Sequence, residues 1–68
     1  MDIRVNGEFK TVEQGLSLYQ LLLDLQIDPV QPGIAVAMNQ ELISKKQWQE
    51  TVVRAGSEVE IVHAVQGG

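Results

Sequence analysis

One stretch of this chain carries the spacing of an amphipathic helix, and that restricts what the remainder can build. Leu18, Leu21, Leu22 and Leu25 fall at i, i+3, i+4 and i+7, a single apolar stripe. Tyr19, Gln20 and Asp24 lie mostly on the other side. Ser17 stands where an N-cap is needed, and Gln20 follows at the capping-box position, with Leu16 and Leu21 as the hydrophobic staple. Asp28-Pro29 and Pro32-Gly33 break the pattern, so the helix should end near Gln26. A lone helix covers one face of a sheet, so the rest of the chain has to supply that sheet. With 68 residues there is room for one domain and one core. The absence of cysteine removes disulfide staples, thiolate metal sites and cysteine nucleophiles together.

The strands are marked by period-two alternation. Met1, Ile3 and Val5 point one way and Asp2 and Arg4 the other. Asn6-Gly7, the preferred pair for a two-residue hairpin turn, returns the chain through a second strand, roughly Glu8 to Val12, with Phe9 as its main apolar residue. Ile34 to Met38 is apolar throughout, with bulky Ile34, Val36 and Met38 alternating with Ala35 and Ala37, as in a central strand with one crowded and one thin face. Asn39-Gln40 should turn into a short strand, Glu41 to Ile43. Glutamine suits a positive-φ position poorly, which predicts a longer turn or one of another type. Trp48, in the polar stretch Ser44 to Thr51, reads as a lid over the core edge. After the Ala55-Gly56-Ser57 turn, alternation runs from Glu58 to Val65. Val59, Ile61, His63 and Val65 share one face; Glu58, Glu60, Val62 and Ala64 share the other.

This order predicts an α+β domain, a mixed sheet of four to five strands packed on one main helix. The last strand is apolar enough to lie centrally, between the first strand and the Ile34 strand. It should run parallel to the first, with the helix as crossover. The helix covers one sheet face, which leaves Ala35, Ala37, Glu60 and Val62 on the other as a shallow apolar patch suited to partner docking.

Charge and side-chain inventory exclude several functions. The net charge is −4, from nine acidic and five basic residues, and Lys45-Lys46 is the sole basic cluster. Nucleic-acid binding needs a basic stripe, so none is expected. The longest apolar run, Leu21 to Leu23, is far short of the roughly 20 residues of a membrane span. No basic segment followed by an apolar run opens the chain, so a cytoplasmic protein is expected. His63 is the single histidine, and neither metal-ligand spacing nor a phosphate-cradling glycine motif is present. Glu58 and Glu60 read as solvated charges. Self-contained catalysis is not expected.

The C-terminal run Ala64-Val65-Gln66-Gly67-Gly68 is the remaining feature. Small terminal residues also occur in frayed ends. Taken with Ala35-Val36-Ala37-Met38-Asn39, Gln47-Trp48 and Gly56-Ser57-Glu58-Val59-Glu60-Ile61-Val62, however, the run resembles the ThiS family, the sulfur carriers of thiamine biosynthesis. The opening Ile3-Arg4-Val5-Asn6-Gly7-Glu8 is similar to that family's first hairpin. The resemblance spans nearly the whole chain. Gln40 stands where the family typically has glycine, Lys45-Lys46 where Pro-Arg is common, and His63 where a basic residue is usual.

The resemblance implies a ubiquitin-like β-grasp body, residues 1–63, and a flexible tail, residues 64–68. It implies a protein co-substrate rather than an enzyme, monomeric when free. Gly68 would be the attachment point: its carboxylate, ionised at neutral pH and a poor electrophile, is adenylated and then converted to a thiocarboxylate. The carrier itself would bind no cofactor, and ATP with magnesium would be used by a ubiquitin-activating-like adenylyltransferase. Sulfur would come from a transfer enzyme of cysteine desulfurase or rhodanese type and pass to thiazole synthase. Ala64, Val65, Gln66 and Gly67 would thread the partner's active site. Without Cβ atoms, Gly67 and Gly68 suit a narrow channel, and the five tail residues reach roughly 17 Å when extended. Carriers for molybdopterin or cysteine synthesis, a ubiquitin-like modifier of lysines, and a plain interaction module with an inert tail are the alternatives.

Overall fold

The structure, a computed structural model, describes residues 1–64. In chain order it contains β1 (Asp2–Val5), β2 (Glu8–Thr11), α1 (Leu18–Asp24), β3 (Ile34–Met38), β4 (Glu41–Ile43), a 3₁₀ turn (Lys45–Gln47) and β5 (Glu58–His63). The five strands form one sheet in the order β2-β1-β5-β3-β4. β1 and β5 are parallel, and the other three pairings are antiparallel. The last strand therefore lies centrally, with the partners and direction its apolar sequence predicts.

α1 has seven residues, too few to hold a helix in water without tertiary support. Its first turn is satisfied group by group. The Gln20 amide donates to Ser17 Oγ at 3.1 Å, and Gln20 Oε1 accepts from the Ser17 amide at 3.2 Å, closing the capping box. The Leu18 and Tyr19 amides donate to the carbonyls of Thr51 and Trp48. The helix is thus stitched to the segment before β5, and its ordinary end at Leu25 is followed by Gln26 at φ +62°.

Leu18, Leu21 and Leu22 bury their stripe against Ile3, Val5, Val36 and Val59 from the sheet, together with Leu16, Val53 and Trp48. Each such aliphatic side chain contributes about 1.5–3 kcal/mol by leaving water. Leu25, Ile34, Met38 and Ile61 pack at the margin. Trp48 is 1% exposed, so it belongs to the core rather than covering its edge. A 3₁₀ turn swings the indole inward, and its Nε1–H donates to the Ile43 carbonyl at 3.0 Å. That bond is what lets an indole be buried without a penalty for its donor.

A second expectation is corrected. The Asn39-Gln40 turn is neither longer nor of another type: both residues are left-handed, at φ +53° and +69°, like Asn6 and Gly7 in the first hairpin. Pairing of Met38 with Glu41 leaves no further residues, so the glutamine is held in a conformation that glycine would adopt freely. What holds it is outside the turn. The Asn39 amide donates to the Glu58 carbonyl at 2.7 Å, and Asn39 Oδ1 accepts from the Glu58 amide at 2.9 Å. Phe9, in turn, faces solvent and is 76% exposed. Ile3 and Val5 point inward, so Arg4 points outward, and Phe9 is paired with Arg4.

Candidate functional site

The face of the sheet opposite α1 is assembled by register. Directly paired residues project to the same side, and Val36 with Ile61 and Ile43 faces the helix. Their neighbours must face away. Ala35 is paired with Val62, and Ala37 with Glu60, so the four residues expected at a docking surface meet on two adjacent strands. Val62 is 61% exposed, and the alanines beside it leave its side chain standing above a thin surface.

Sequence reasoning missed two members of this face. Leu42 is paired with Ala37 from β4 and is 73% exposed, which extends the apolar patch toward that edge. Its signal was the inward Ile43 next to it, which under period two turns Leu42 outward. Phe9 is the other, toward the β2 edge. The Arg4 guanidinium lies over its ring, 5.2 Å from the centroid, and Arg4 Nη1 approaches Glu58 Oε2 at 3.5 Å. Both ion-pair side chains are about half exposed, so the pair carries at most ~1 kcal/mol. Its consequence is spatial: the Arg4–Glu58 pair and Glu60 form a polar band between Phe9 and the Leu42–Val62 patch.

β5 runs under this band to the tail. Asn6 reaches across to β5, its Oδ1 accepting from the Ile61 amide at 2.8 Å and its Nδ2 donating to the Ile61 carbonyl at 3.2 Å. Asn39 holds Glu58 with its side-chain Oδ1 and its backbone amide, so one asparagine from each hairpin turn clamps the strand. Burial fades along β5 from Val59 (1% exposed) through half-buried Ile61 to exposed His63, as the strand passes beyond the short helix. His63 is paired with Ile34 at the end of the ladder. The Ala64 amide then donates to the Gly33 carbonyl at 2.7 Å. Val65, Gln66, Gly67 and Gly68 lie outside the described residues.

Chemically, the described residues present a surface rather than a cluster of reactive side chains. Among the described residues, no group of three or more His, Cys, Asp or Glu side chains could hold a metal ion. Among the same residues, no helix is long and apolar enough to cross a membrane.

A five-stranded mixed sheet gripping one helix, with a central last strand leading to the C-terminal run, defines a ubiquitin-like β-grasp domain. The family model of the ThiS family matches residues 3–68, and the chain belongs to that family. It is 29% identical over 68 residues to the sulfur carrier protein ThiS of Escherichia coli, covering all of both chains. It is 32% identical over 68 residues to a thiazole synthase of Magnetococcus marinus, covering all of this chain and 20% of that one. The crystal structure of a thiamine biosynthesis protein (ThiS) from Geobacter metallireducens superposes with a TM-score of 0.83 at 30% identity, each chain fully covered. The solution structure of a thiamine biosynthesis protein from the same organism gives 0.81 at 28% identity, covering all of this chain and 88% of that one.

Proposed function

We propose that this chain is a sulfur carrier of thiamine biosynthesis, acted on by partner enzymes in the cytoplasm rather than catalysing a reaction itself. The observation that carries this reading is the full-length similarity to a sulfur carrier, with the family match running through Gly68. The body, residues 1–63, is the recognition handle, and the tail, residues 64–68, is the reactive arm.

The chemistry follows from what a carboxylate lacks. Ionised at neutral pH, the Gly68 carboxylate resists nucleophiles. An adenylyltransferase of the ubiquitin-activating type, using ATP with magnesium, joins one carboxylate oxygen to the α-phosphorus and releases pyrophosphate. The terminal sulfur of a persulfide on a desulfurase or rhodanese-type donor then attacks the carbonyl carbon and AMP departs. A second thiol then attacks the donor's sulfur in the resulting acyl disulfide, the S–S bond breaks, the two thiols leave joined as a disulfide, and the thiocarboxylate is released. The carrier has no cysteine, so no thiol of its own competes for the activated carbonyl. Ala64, Val65, Gln66 and Gly67 lead the reactive atom to the partner's active site.

Thiazole synthase is the recipient. Support comes from the Magnetococcus thiazole synthase, in which a stretch similar to this whole chain forms part of the synthase chain itself. Ala35, Ala37, Glu60 and Val62, together with Leu42, form the surface on which the partners dock.

Intact mass spectrometry of the protein from its own cells tests the reading. The expected result is a population in which sulfur replaces one oxygen, placed on Gly68 by fragmentation. A chain that carries no sulfur at Gly68 under thiamine starvation would refute the carrier role.

A further inference from the structure

Four glycines of the described residues have positive φ: Gly7, Gly15, Gly33 and Gly56, between +80° and +89°. At three of them an added Cβ would meet nothing within 4 Å, so backbone conformation alone accounts for glycine there. Gly33 differs. A Cβ at Gly33 would lie 2.9 Å from the Ala64 carbonyl oxygen, a backbone atom that cannot swing aside as a side chain can. The collision is with the first residue of the tail.

The surroundings of Gly33 hold it in place. Lys45 Nζ donates to the carbonyls of Val30 and Gln31 at 3.2 and 3.3 Å, and Asp28 Oδ1 accepts from the Val30 amide at 3.0 Å. The Asp28 bond closes a turn within the loop that presents Gly33, and the two Lys45 bonds tie that loop to the body. From that loop the Gly33 carbonyl accepts the Ala64 amide, one rung beyond the His63–Ile34 pair.

We infer that Gly33 is a positioning residue for the reactive arm: its missing side chain lets the β3–β5 ladder gain a last rung at Ala64, which fixes where the arm leaves the body. This rests on the carrier function proposed above. Four residues follow Ala64, with a maximum reach of roughly 13–14 Å. An anchored Ala64 sets that reach from a fixed origin. An unanchored one adds another residue whose backbone must be ordered whenever Gly68 meets the nucleotide. Fixing one residue's backbone corresponds to a factor of roughly 5–30 in an equilibrium constant, and the same factor is expected in rate. The loss should fall in kcat, because the sheet face supplies the docking and the rung matters where the carbonyl must reach its reacting position.

The test compares three full-length variants in ATP–pyrophosphate exchange catalysed by the activating partner. Ala64→Pro removes the donor of the rung and sets a ring carbon against the Gly33 carbonyl while keeping glycine at position 33, and residue 63 is already extended, as a residue before proline prefers. Gly33→Ala introduces the colliding Cβ. Gly15→Ala imposes the same kind of positive-φ strain at φ +80° with nothing in contact, and controls for lost stability. The first two should lower kcat roughly 5–30-fold with affinity for the partner unchanged, and the Gly15 variant should keep the wild-type kcat. Amide exchange at Ala64 should accelerate in Gly33→Ala while Val59 stays protected. Wild-type kcat in Ala64→Pro overturns the inference while leaving the carrier function intact. A loss in Gly15→Ala equal to that in Gly33→Ala also overturns it, since strain alone would then be the cause. A wild-type chain that the activating partner cannot adenylate refutes the functional reading and the inference together.

Discussion

Replacing Leu21 by alanine separates the burial of the helix stripe from every local property of the helix, if Leu23→Ala is made beside it. Both residues lie within the seven-residue α1, so the gain in helix propensity from alanine is nearly equal in the two. Their environments are opposite: Leu21 is 0% exposed and Leu23 is 52% exposed. Removing the Leu21 side chain leaves a cavity in the buried core and should destabilise by about 2–5 kcal/mol. Leu23→Ala forfeits about half of an exposed-to-buried transfer and should lose about 1 kcal/mol or less. A domain of 68 residues has roughly 3–10 kcal/mol in total, so the first variant sits close to unfolding and the second does not. Urea titration followed by fluorescence of Trp48, the single tryptophan and a buried one, reads both stabilities. Equal midpoints for the two variants would refute the placement of the core stripe.

Gln40→Gly should stabilise the fold by roughly 0.5–1 kcal/mol in the same titration, because it relieves a left-handed residue in a turn the register cannot lengthen. Glu60→Lys should leave the urea midpoint within about 0.5 kcal/mol of wild type and weaken binding to the activating partner or the synthase, measured by calorimetry; unchanged affinity for both would remove the open sheet face from docking. Deletion of Gly68 shortens the arm by roughly 3.5 Å and should abolish pyrophosphate exchange without loss of folding. Gly67→Val should fold normally and be strongly impaired in the same assay, since a branched side chain cannot pass where glycine fits.

Much of the fold was legible because its signals are local. Ser17 and Gln20 close a capping box within four consecutive residues, and Asn6-Gly7 forms its turn from its own conformational preference. That Ala35, Ala37, Glu60 and Val62 share one face of the sheet followed from period two once the helix was assigned to the other side. Phe9 escaped the same logic. Apolar character suggests burial, yet its side is set by pairing with Arg4 across the hairpin, and β2 lies at the sheet edge with all four residues exposed. Leu42 escaped because a three-residue strand offers little alternation to read. Gln40 was misjudged for a further reason: a propensity argument weighs the turn alone, whereas the Asn39–Glu58 bonds that hold it come from β5, nineteen positions away.

The sequence by itself determined the elements, the single helical stripe, the inward and outward sides of the central strands, and the Gly-Gly run. Each depends on residues within a few positions of one another, where periodicity and turn preference act directly. The tertiary structure decided the burial of Trp48 with its indole bonded to Ile43, the asparagine clamps on β5, and the outward face shared by Phe9, Leu42 and Val62. It also decided what Gly33 is for. Gly33 and Ala64 are far apart in the chain, and the space for a Cβ between them exists or vanishes only when β3 and β5 are brought into register, so no local pattern could encode it.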